Sequence, residues 1–406
     1  MHPTSTPTFA GIDWATRSHA VCIIDGSGSV LERYEVEHTD AGLRDLVARL
    51  RASRVGGVAI ERPDGPLVDA LMGAGLRVIV IVSRSIKALR SRYGSTGNKD
   101  DRADAYVLAD VLRTDGHRLR PLVPDSPATL TLRASVRARK DLVRTRVRLV
   151  QQLEAHLALV FPGAVGLFAR LDSAIAESFL TRFSSAEEAA WLSPRRFEAW
   201  LARQGYGGRR TGAELHARLV VAPAGVSGDE AAPLAAVTLG YVRAIAAVRG
   251  QIRLLEERIA EQLAAHPDAA IFTSLPRSGT VRAATLLAEI GDCRERFPTP
   301  EALACLAGAA PSTRQSGQYR AVTFRYACDK KLRDAVIDFA AGSRFANAWA
   351  AETYARAIGR GKRHPHAVRI LARAWVHVIW RCWQDRVPYD PERHRALQRA
   401  TLAPAA

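Results

Sequence analysis

Thr8-Phe9-Ala10-Gly11-Ile12-Asp13-Trp14-Ala15 is a short apolar run that ends on a carboxylate. Its length and composition suit a buried strand. His19–Asp25 and Ser29–Glu37 read as two more strands, joined by the turn sequence Asp25-Gly26-Ser27-Gly28, so residues 8–37 form a β-meander.

Working outward, Asp40–Arg51 places Leu43, Leu46, Val47 and Leu50 at helical spacing, and Val55–Ile60 is a buried strand. A helix at Pro66–Met72, a strongly apolar strand at Leu76–Val82 and a helix from about Lys99 to Arg113 follow. The order βββαβαβ, closed by a helix, is that of a ribonuclease-H-like domain. The expected fold is therefore α/β in the first third of the chain.

In this order Asp13 ends a strand at the centre of the sheet. A charge there is costly unless it is paired or binds a metal. Glu61 ends Val58-Ala59-Ile60-Glu61 in the same way on a neighbouring strand. Asp101 and Asp104 lie three apart in the helix-starting segment Lys99-Asp100-Asp101-Arg102-Ala103-Asp104-Ala105 and project from one face. Asp100 competes with Asp101, because Asp100 and Asp104 also share a face. Taken singly, the helical aspartates are ordinary N-terminal charges favoured by the helix dipole. Taken together with Asp13 and Glu61 they make four hard oxygen ligands, which suit one or two Mg²⁺ ions bridged by a phosphate.

From Leu130 to Val160 the pattern becomes a long basic helix, with Val136, Val143, Val150 and Leu157 every seven residues. A second long helix, about Pro233 to Leu263, carries Ile245, Val248, Ile252, Leu255 and Ile259 at spacings of three and four. The two can pair as an antiparallel coiled coil or serve dimerisation. Residues 163–232 read as helical fragments. From about Ile271 a mostly helical C-terminal domain begins, with a helix-hairpin-helix-like start at Leu275-Pro276-Arg277-Ser278-Gly279-Thr280. The expected divisions are residues 1–125, 126–268 and 269–396, with a tail at 397–406.

Over 406 residues, 58 Lys and Arg against 41 Asp and Glu give a formal charge of +17, the footprint of a polyanion binder. The apolar runs, such as Leu76–Val82, are too short to span a bilayer, and the N-terminus does not read as a secretion signal. No membrane association and a cytoplasmic location are expected. Cys22, Cys293, Cys305, Cys328 and Cys382 are scattered, with no Cys-x-x-Cys pair, which argues against a disulfide frame or a zinc site. His364-Pro365-His366 fits a loop better than a metal site.

The stretches Gly11-Ile12-Asp13, Ala59-Ile60-Glu61 and Lys99–Ala105 resemble the DEDD motif of insertion-sequence transposases related to the Piv and MooV DNA invertases. Some members of that family are bridge-RNA-guided recombinases. The similarity covers nearly the whole chain. It implies a RuvC-like N-terminal domain, a coiled-coil segment and a C-terminal transposase domain with a nucleophilic serine. Ala307-Gly308-Ala309-Ala310-Pro311-Ser312-Thr313-Arg314-Gln315-Ser316-Gly317 resembles the stretch that holds that serine and points to Ser316, with Ser312 as its nearest rival. The implied partners are DNA and a structured guide RNA, in a homo-oligomer, dimer or tetramer. In many members a small polar residue stands where this chain has Asp100, so the resemblance assigns the third ligand to Asp101. Where members often carry Gly- and Lys-containing repeats after the serine, this chain reads Gln318-Tyr319-Arg320-Ala321-Val322-Thr323-Phe324-Arg325.

Nucleic-acid contacts are expected from Arg137, Arg144 and Arg148 on the basic helix, and from Arg314, Arg320, Arg325, Lys330 and Lys331 around the serine, where positive charge can neutralise a phosphate. Three other readings stand beside this one. A RuvC-like nuclease or junction resolvase would use the same carboxylates on water, without a covalent intermediate. An actin-like sugar kinase shares the βββαβ core, but its second phosphate loop and adenosine motif are missing here. A binding protein without chemistry fits the charge, though four convergent acids would repel phosphate in the absence of metal.

Overall fold

The computed structural model describes residues 7–81, 100–317 and 319–394, and the chain divides into two units, residues 1–124 and 125–406. In the first unit the expected order of elements is present. Strands β1 (Thr8–Asp13), β2 (Ser18–Ile24) and β3 (Val30–Glu37) precede helix α1 (Asp40–Ala52), strand β4 (Val55–Ile60), helix α2 (Pro66–Gly73) and strand β5 (Val78–Val80). Helix α3 (Asp101–Asp115) follows. Strand β5 is shorter than the sequence suggests. Gly75 adopts φ +74° and the Leu76 amide donates back to the Leu71 carbonyl at 3.1 Å, so Leu76 belongs to the turn that ends α2. Val82 and Lys99 lie outside the described residues.

The strands form one sheet in the order β3-β2-β1-β4-β5. β1 pairs antiparallel with β2 and parallel with β4, which makes it the central strand. This mixed order is consistent with a ribonuclease-H-like domain. Alternation along the strands sorts the side chains by face. Ala10, Ile12, Val58 and Ile60 pack with Leu46 and Leu50 of α1 and Leu67 and Leu71 of α2. On the opposite face, Ala59 packs with Leu108 and Leu112, and Cys22 and Ile24 pack with Ala105 and Ala109, all four partners on α3.

Among the described residues the second unit is helical apart from one hairpin. Helix α4 (Pro127–Val160) is followed by four shorter helices, α5 (Ala174–Arg182), α6 (Ala186–Ala189), α7 (Pro194–Arg203) and α8 (Gly212–Val221), and then by α9 (Ala231–Ala264). α4 and α9 each have 34 residues, about 51 Å at 1.5 Å per residue. They run antiparallel in constant register: Thr129 meets His266 at 2.9 Å, Arg139 meets Glu256 at 2.7 Å and His156 meets Thr238 at 3.0 Å.

The pair joins two cores. At one end Leu153, Leu157, Val242 and Ile245 pack with Phe179, Phe197 and Trp200 of the shorter helices. At the other, Leu132, Val136, Ile259 and Leu263 enter the core that contains Phe339, Trp375 and Trp383. The helical segment and the C-terminal segment therefore belong to one unit. Gly228–Ala264 is a longer apolar stretch than Leu76–Val82 and is long enough to cross a membrane by length and composition alone. Its buried positions in both cores are those of a packed helix.

The C-terminal part continues with α10 (Ala269–Thr273), α11 (Gly279–Ile290), α12 (Pro300–Leu306), the antiparallel hairpin β6 (Ser312–Ser316) and β7 (Tyr319–Thr323), and helices α13 (Lys330–Ser343), α14 (Ala348–Gly359) and α15 (His364–Asp385). α10 and α11 are joined by a turn with Arg277 at φ 57° and Gly279 at φ 53°, in the stretch whose sequence reads as a helix-hairpin-helix-like start.

Candidate active site

The first unit brings Asp13, Asp101 and Asp104 together. Gly11 lies against α3, and two residues on, at the end of β1, the alternation directs Asp13 to the same face. α3 begins where it does because Asp100 caps it: the Asp100 carboxylate accepts from the Arg102 amide at 3.0 Å. Asp100 is thus employed at the helix end, and Asp101 and Asp104 occupy the first turn. One carboxylate oxygen from each of Asp13, Asp101 and Asp104 lies within 4.8 Å of the others. Asp13 and Asp104 are buried, at 8% and 4% exposure, whereas Asp101 is exposed. Three carboxylates at that spacing repel one another, and a cation among them relieves the repulsion.

Glu61 follows Ile60, which pairs with Ile12 across β4 and β1, so its backbone lies beside Asp13. Among the described residues its carboxylate is not one of the group within 4.8 Å.

A histidine pair beside this strand end was not legible in the sequence. His19 is fully buried on β2, and burial, reinforced by His38, pulls its pKa down to about 4. The Ala15 amide donates to its Nδ1 at 3.4 Å, so Nε2 carries the proton and donates to His38 Nδ1 at 2.8 Å. These bonds tie the segment after Asp13 to β2 and to the end of β3. Within that segment Trp14 lies under the Arg62 guanidinium, 4.4 Å from its ring centre.

In the second unit Ser316 is exposed at the end of β6, paired with Tyr319 across a two-residue turn in which Gly317 has φ 54°. Ser312 lies at the base of the hairpin, opposite Thr323. The stretch around both serines is thus an antiparallel hairpin. Its available signals are Thr313, Val322 and Thr323, which favour strands, and the Ser-Gly turn. Arg314 and Arg320 project from it in exposed positions, while Arg325 donates to the Ala310 and Pro311 carbonyls at 3.3 and 3.0 Å. Lys330 and Lys331 are exposed at the start of α13. On α4, Arg144 and Arg148 are exposed, whereas Arg137 grips Glu289 through two bonds of 2.9 and 2.7 Å.

Carboxylates gathered at the central strand of a mixed sheet, with a basic helical unit in the same chain, describe an enzyme that works on a polyanion. A transposase family model for the DEDD transposases of IS110 elements matches residues 10–162, and one described as the IS116/IS110/IS902 transposase family matches residues 269–355. The mini-circle putative transposase for IS117 of Streptomyces coelicolor is 32% identical over 97% of this chain and 98% of its own length. An uncharacterized 42 kDa protein of the IS900 insertion element of Mycobacterium paratuberculosis is 28% identical over 95% of this chain and 98% of its own. Among solved structures, that of T. thermophilus RuvC in complex with Holliday junction substrate aligns over 29% of this chain and 99% of its own, at 15% identity and a TM-score of 0.23. This chain belongs to the IS116/IS110/IS902 family of insertion-sequence transposases. Membership implies DNA cleavage and joining.

Proposed function

We propose that Asp13, Glu61, Asp101 and Asp104 hold one or two Mg²⁺ ions and that Ser316 is the nucleophile that cuts DNA. The observation that carries the first part is the convergence of the Asp13, Asp101 and Asp104 oxygens within 4.8 Å. Carboxylate oxygens are the hard donor set that Mg²⁺ prefers. Bound there, the metal supplies neutralisation of charge on the phosphate oxygens. Glu61 completes the set from the neighbouring strand end.

The Ser316 hydroxyl forms an Oγ–phosphorus bond as the bond from phosphorus to the leaving strand oxygen breaks. The serine proton passes to a base or to water, and the leaving oxygen takes one up. The phosphodiester is exchanged rather than hydrolysed, so the reverse step rejoins DNA without a nucleotide cofactor. In the same reading, α4 and α9 form an antiparallel coiled coil, and the resemblance to the family of the Piv and MooV invertases implies a homo-oligomer that takes its target from a structured guide RNA. Arg144 and Arg148 of α4 and Arg314 and Arg320 of the hairpin hold the nucleic-acid backbone.

The test is to trap the reaction on end-labelled element DNA and resolve it under denaturing conditions, with and without RNA transcribed from the DNA that flanks the gene. A covalent adduct is expected that Ser316→Ala abolishes, and that Asp13→Ala or a chelator also abolishes while DNA binding persists. Cleavage without any adduct would overturn the serine in favour of hydrolysis, and cleavage that survives chelation would overturn the metal assignment.

A further inference from the structure

Two clefts in the second unit are each lined by three or more arginines, and their charge balance differs. The larger, about 490 Å³, lies where α4, α11 and α13 meet. Three of its cations face carboxylates on its own walls: Arg137 pairs with Glu289, Lys140 with Asp334 at 2.9 Å and Arg282 with Asp338 at 2.8 Å. A phosphate entering there would have to displace carboxylates. The smaller, about 310 Å³, lies under the base of the hairpin, between Phe324–Arg325 and the first turns of α15. Among the described residues no carboxylate lines it, whereas Arg325, Arg369, Arg373 and His366 do.

His366, Arg369 and Arg373 fall at positions i, i+3 and i+7 of α15 and so share one face. Between Glu352 and Asp385 the chain carries seven Lys and Arg residues and no acid. Crowding by Arg369 and Lys362, after desolvation, holds the His366 pKa below its ordinary value, a sign of net positive potential at this face. Residues 356–385 also lie beyond the stretch that the family model matches.

Aromatic rings are interleaved with these charges. The Arg369 guanidinium sits 4.8 Å from the centre of the Phe324 ring, and Tyr326 meets that ring edge-on at 4.8 Å. Tyr326 is itself 79% exposed, and Tyr319, at the tip of the same hairpin, is 67% exposed. Exposed rings beside arginines that line a cleft with no carboxylate among the described residues are what an unpaired strand requires: stacking surface for bases and a cationic track for phosphates.

We propose that the cleft between Arg325 and the Arg369–Arg373 face of α15 binds the phosphodiester backbone of an unpaired nucleic-acid strand. The proposal rests on the transposase reading and deepens it. Since the hairpin runs from this cleft to Ser316, a strand held at its base is also guided towards its tip.

The experiment is equilibrium binding of the full-length protein to fluorescent oligothymidylate, oligouridylate and a duplex of equal length, over a range of salt. Arg369→Ala with Arg373→Ala should weaken single-strand binding by about tenfold or more and reduce the log–log salt slope by about 1.4, two phosphates at roughly 0.7 each. Arg369→Lys with Arg373→Lys should keep the slope, because the charges remain. Should the alanine pair lower the melting temperature, Arg369→Gln with Arg373→Gln removes the same charges and keeps the stems. The thymidylate and uridylate arms show whether the strand is DNA or RNA. An unchanged slope with affinity within about twofold of the parent would overturn the cleft and leave the transposase reading intact. Equal loss on the duplex would overturn the preference for an unpaired strand. Because no cleavage is read, a failed serine or metal assignment does not disturb the outcome. A chain that bound no nucleic acid would sink both readings.

Discussion

A Cβ placed on Gly11 would lie 2.0 Å from the carbonyl oxygen of Ala105 and 2.5 Å from the amide nitrogen of Ala109. Both obstacles are backbone, so a side chain at Gly11 must push α3 away from the sheet. Overpacking of a fixed interior costs about 1–3 kcal/mol, and α3 carries two of the three clustered aspartates. Gly11→Ala is therefore expected to lower the melting temperature and to reduce DNA cleavage even at temperatures where the variant is folded. Parental stability and activity in that variant would refute the close approach as the basis of the site.

Asp100 and Asp101 are neighbours with different work. Asp100 accepts from the Arg102 amide as the cap of α3, and Asp101 joins Asp13 and Asp104. Asp100→Ala should cost about 1 kcal/mol, the usual loss of a helix cap, and leave metal-dependent cleavage in place. Asp101→Asn and Asp104→Asn should abolish cleavage, with the Asp104 change expected to cost no helix cap. Cleavage lost in Asp100→Ala but kept in Asp101→Asn would exchange the two roles.

Asp13, Asp101 and Asp104 were legible because an apolar run ends on Asp13 and an acidic helix start lies at residues 100–104, whereas the matching run that ends on Glu61 brings no carboxylate into the group among the described residues. The choice between Asp100 and Asp101 was not, because both spacings to Asp104 fit one helical face and only the cap geometry separates them. The long helices were legible from seven-residue recurrence. Their antiparallel register was not, since it depends on pairs between the two helices such as Arg139 with Glu256. The hairpin at residues 312–323 was hidden by its exposure. Almost every residue in it faces solvent, so no alternation of apolar and polar residues marks it as a strand.

The His19–His38 pair predicts an acid-sensitive first unit. His19 has a folded pKa of about 4, against an ordinary value of 6.5. The unfolded chain thus binds the proton more readily, and the stability gained from the neutral histidine is complete above pH 6.5. It declines as pH falls, and levels off below pH 4. Between pH 7 and pH 5 the loss comes to about 2 kcal/mol. Thermal melts of the parent and of His19→Gln at the two pH values should show the parent losing more stability by that margin. Parallel pH dependence in the two proteins would mean that His19 titrates normally in the folded state.

Arg137 was expected to hold phosphate, but its guanidinium forks onto Glu289, whose side chain is 4% exposed. Removing the partner of a buried carboxylate leaves a charge without compensation, which costs on the order of 3 kcal/mol. Arg144 and Arg148, on the exposed part of the same helix, have no such burden, and changes at exposed positions usually stay within about 0.5 kcal/mol. Arg137→Ala should therefore lower the melting temperature markedly with little effect on the salt slope of DNA binding. Arg144→Ala with Arg148→Ala should do the opposite, reducing the slope by roughly one to two at nearly unchanged stability. Replacing the whole pair by apolar residues, Arg137→Met with Glu289→Leu, should recover most of the stability that Arg137→Ala loses, because no buried charge then remains. If Arg137→Ala leaves the melting temperature untouched and flattens the salt dependence instead, the arginine releases Glu289 to contact phosphate, and the ion pair is a resting arrangement rather than a structural one.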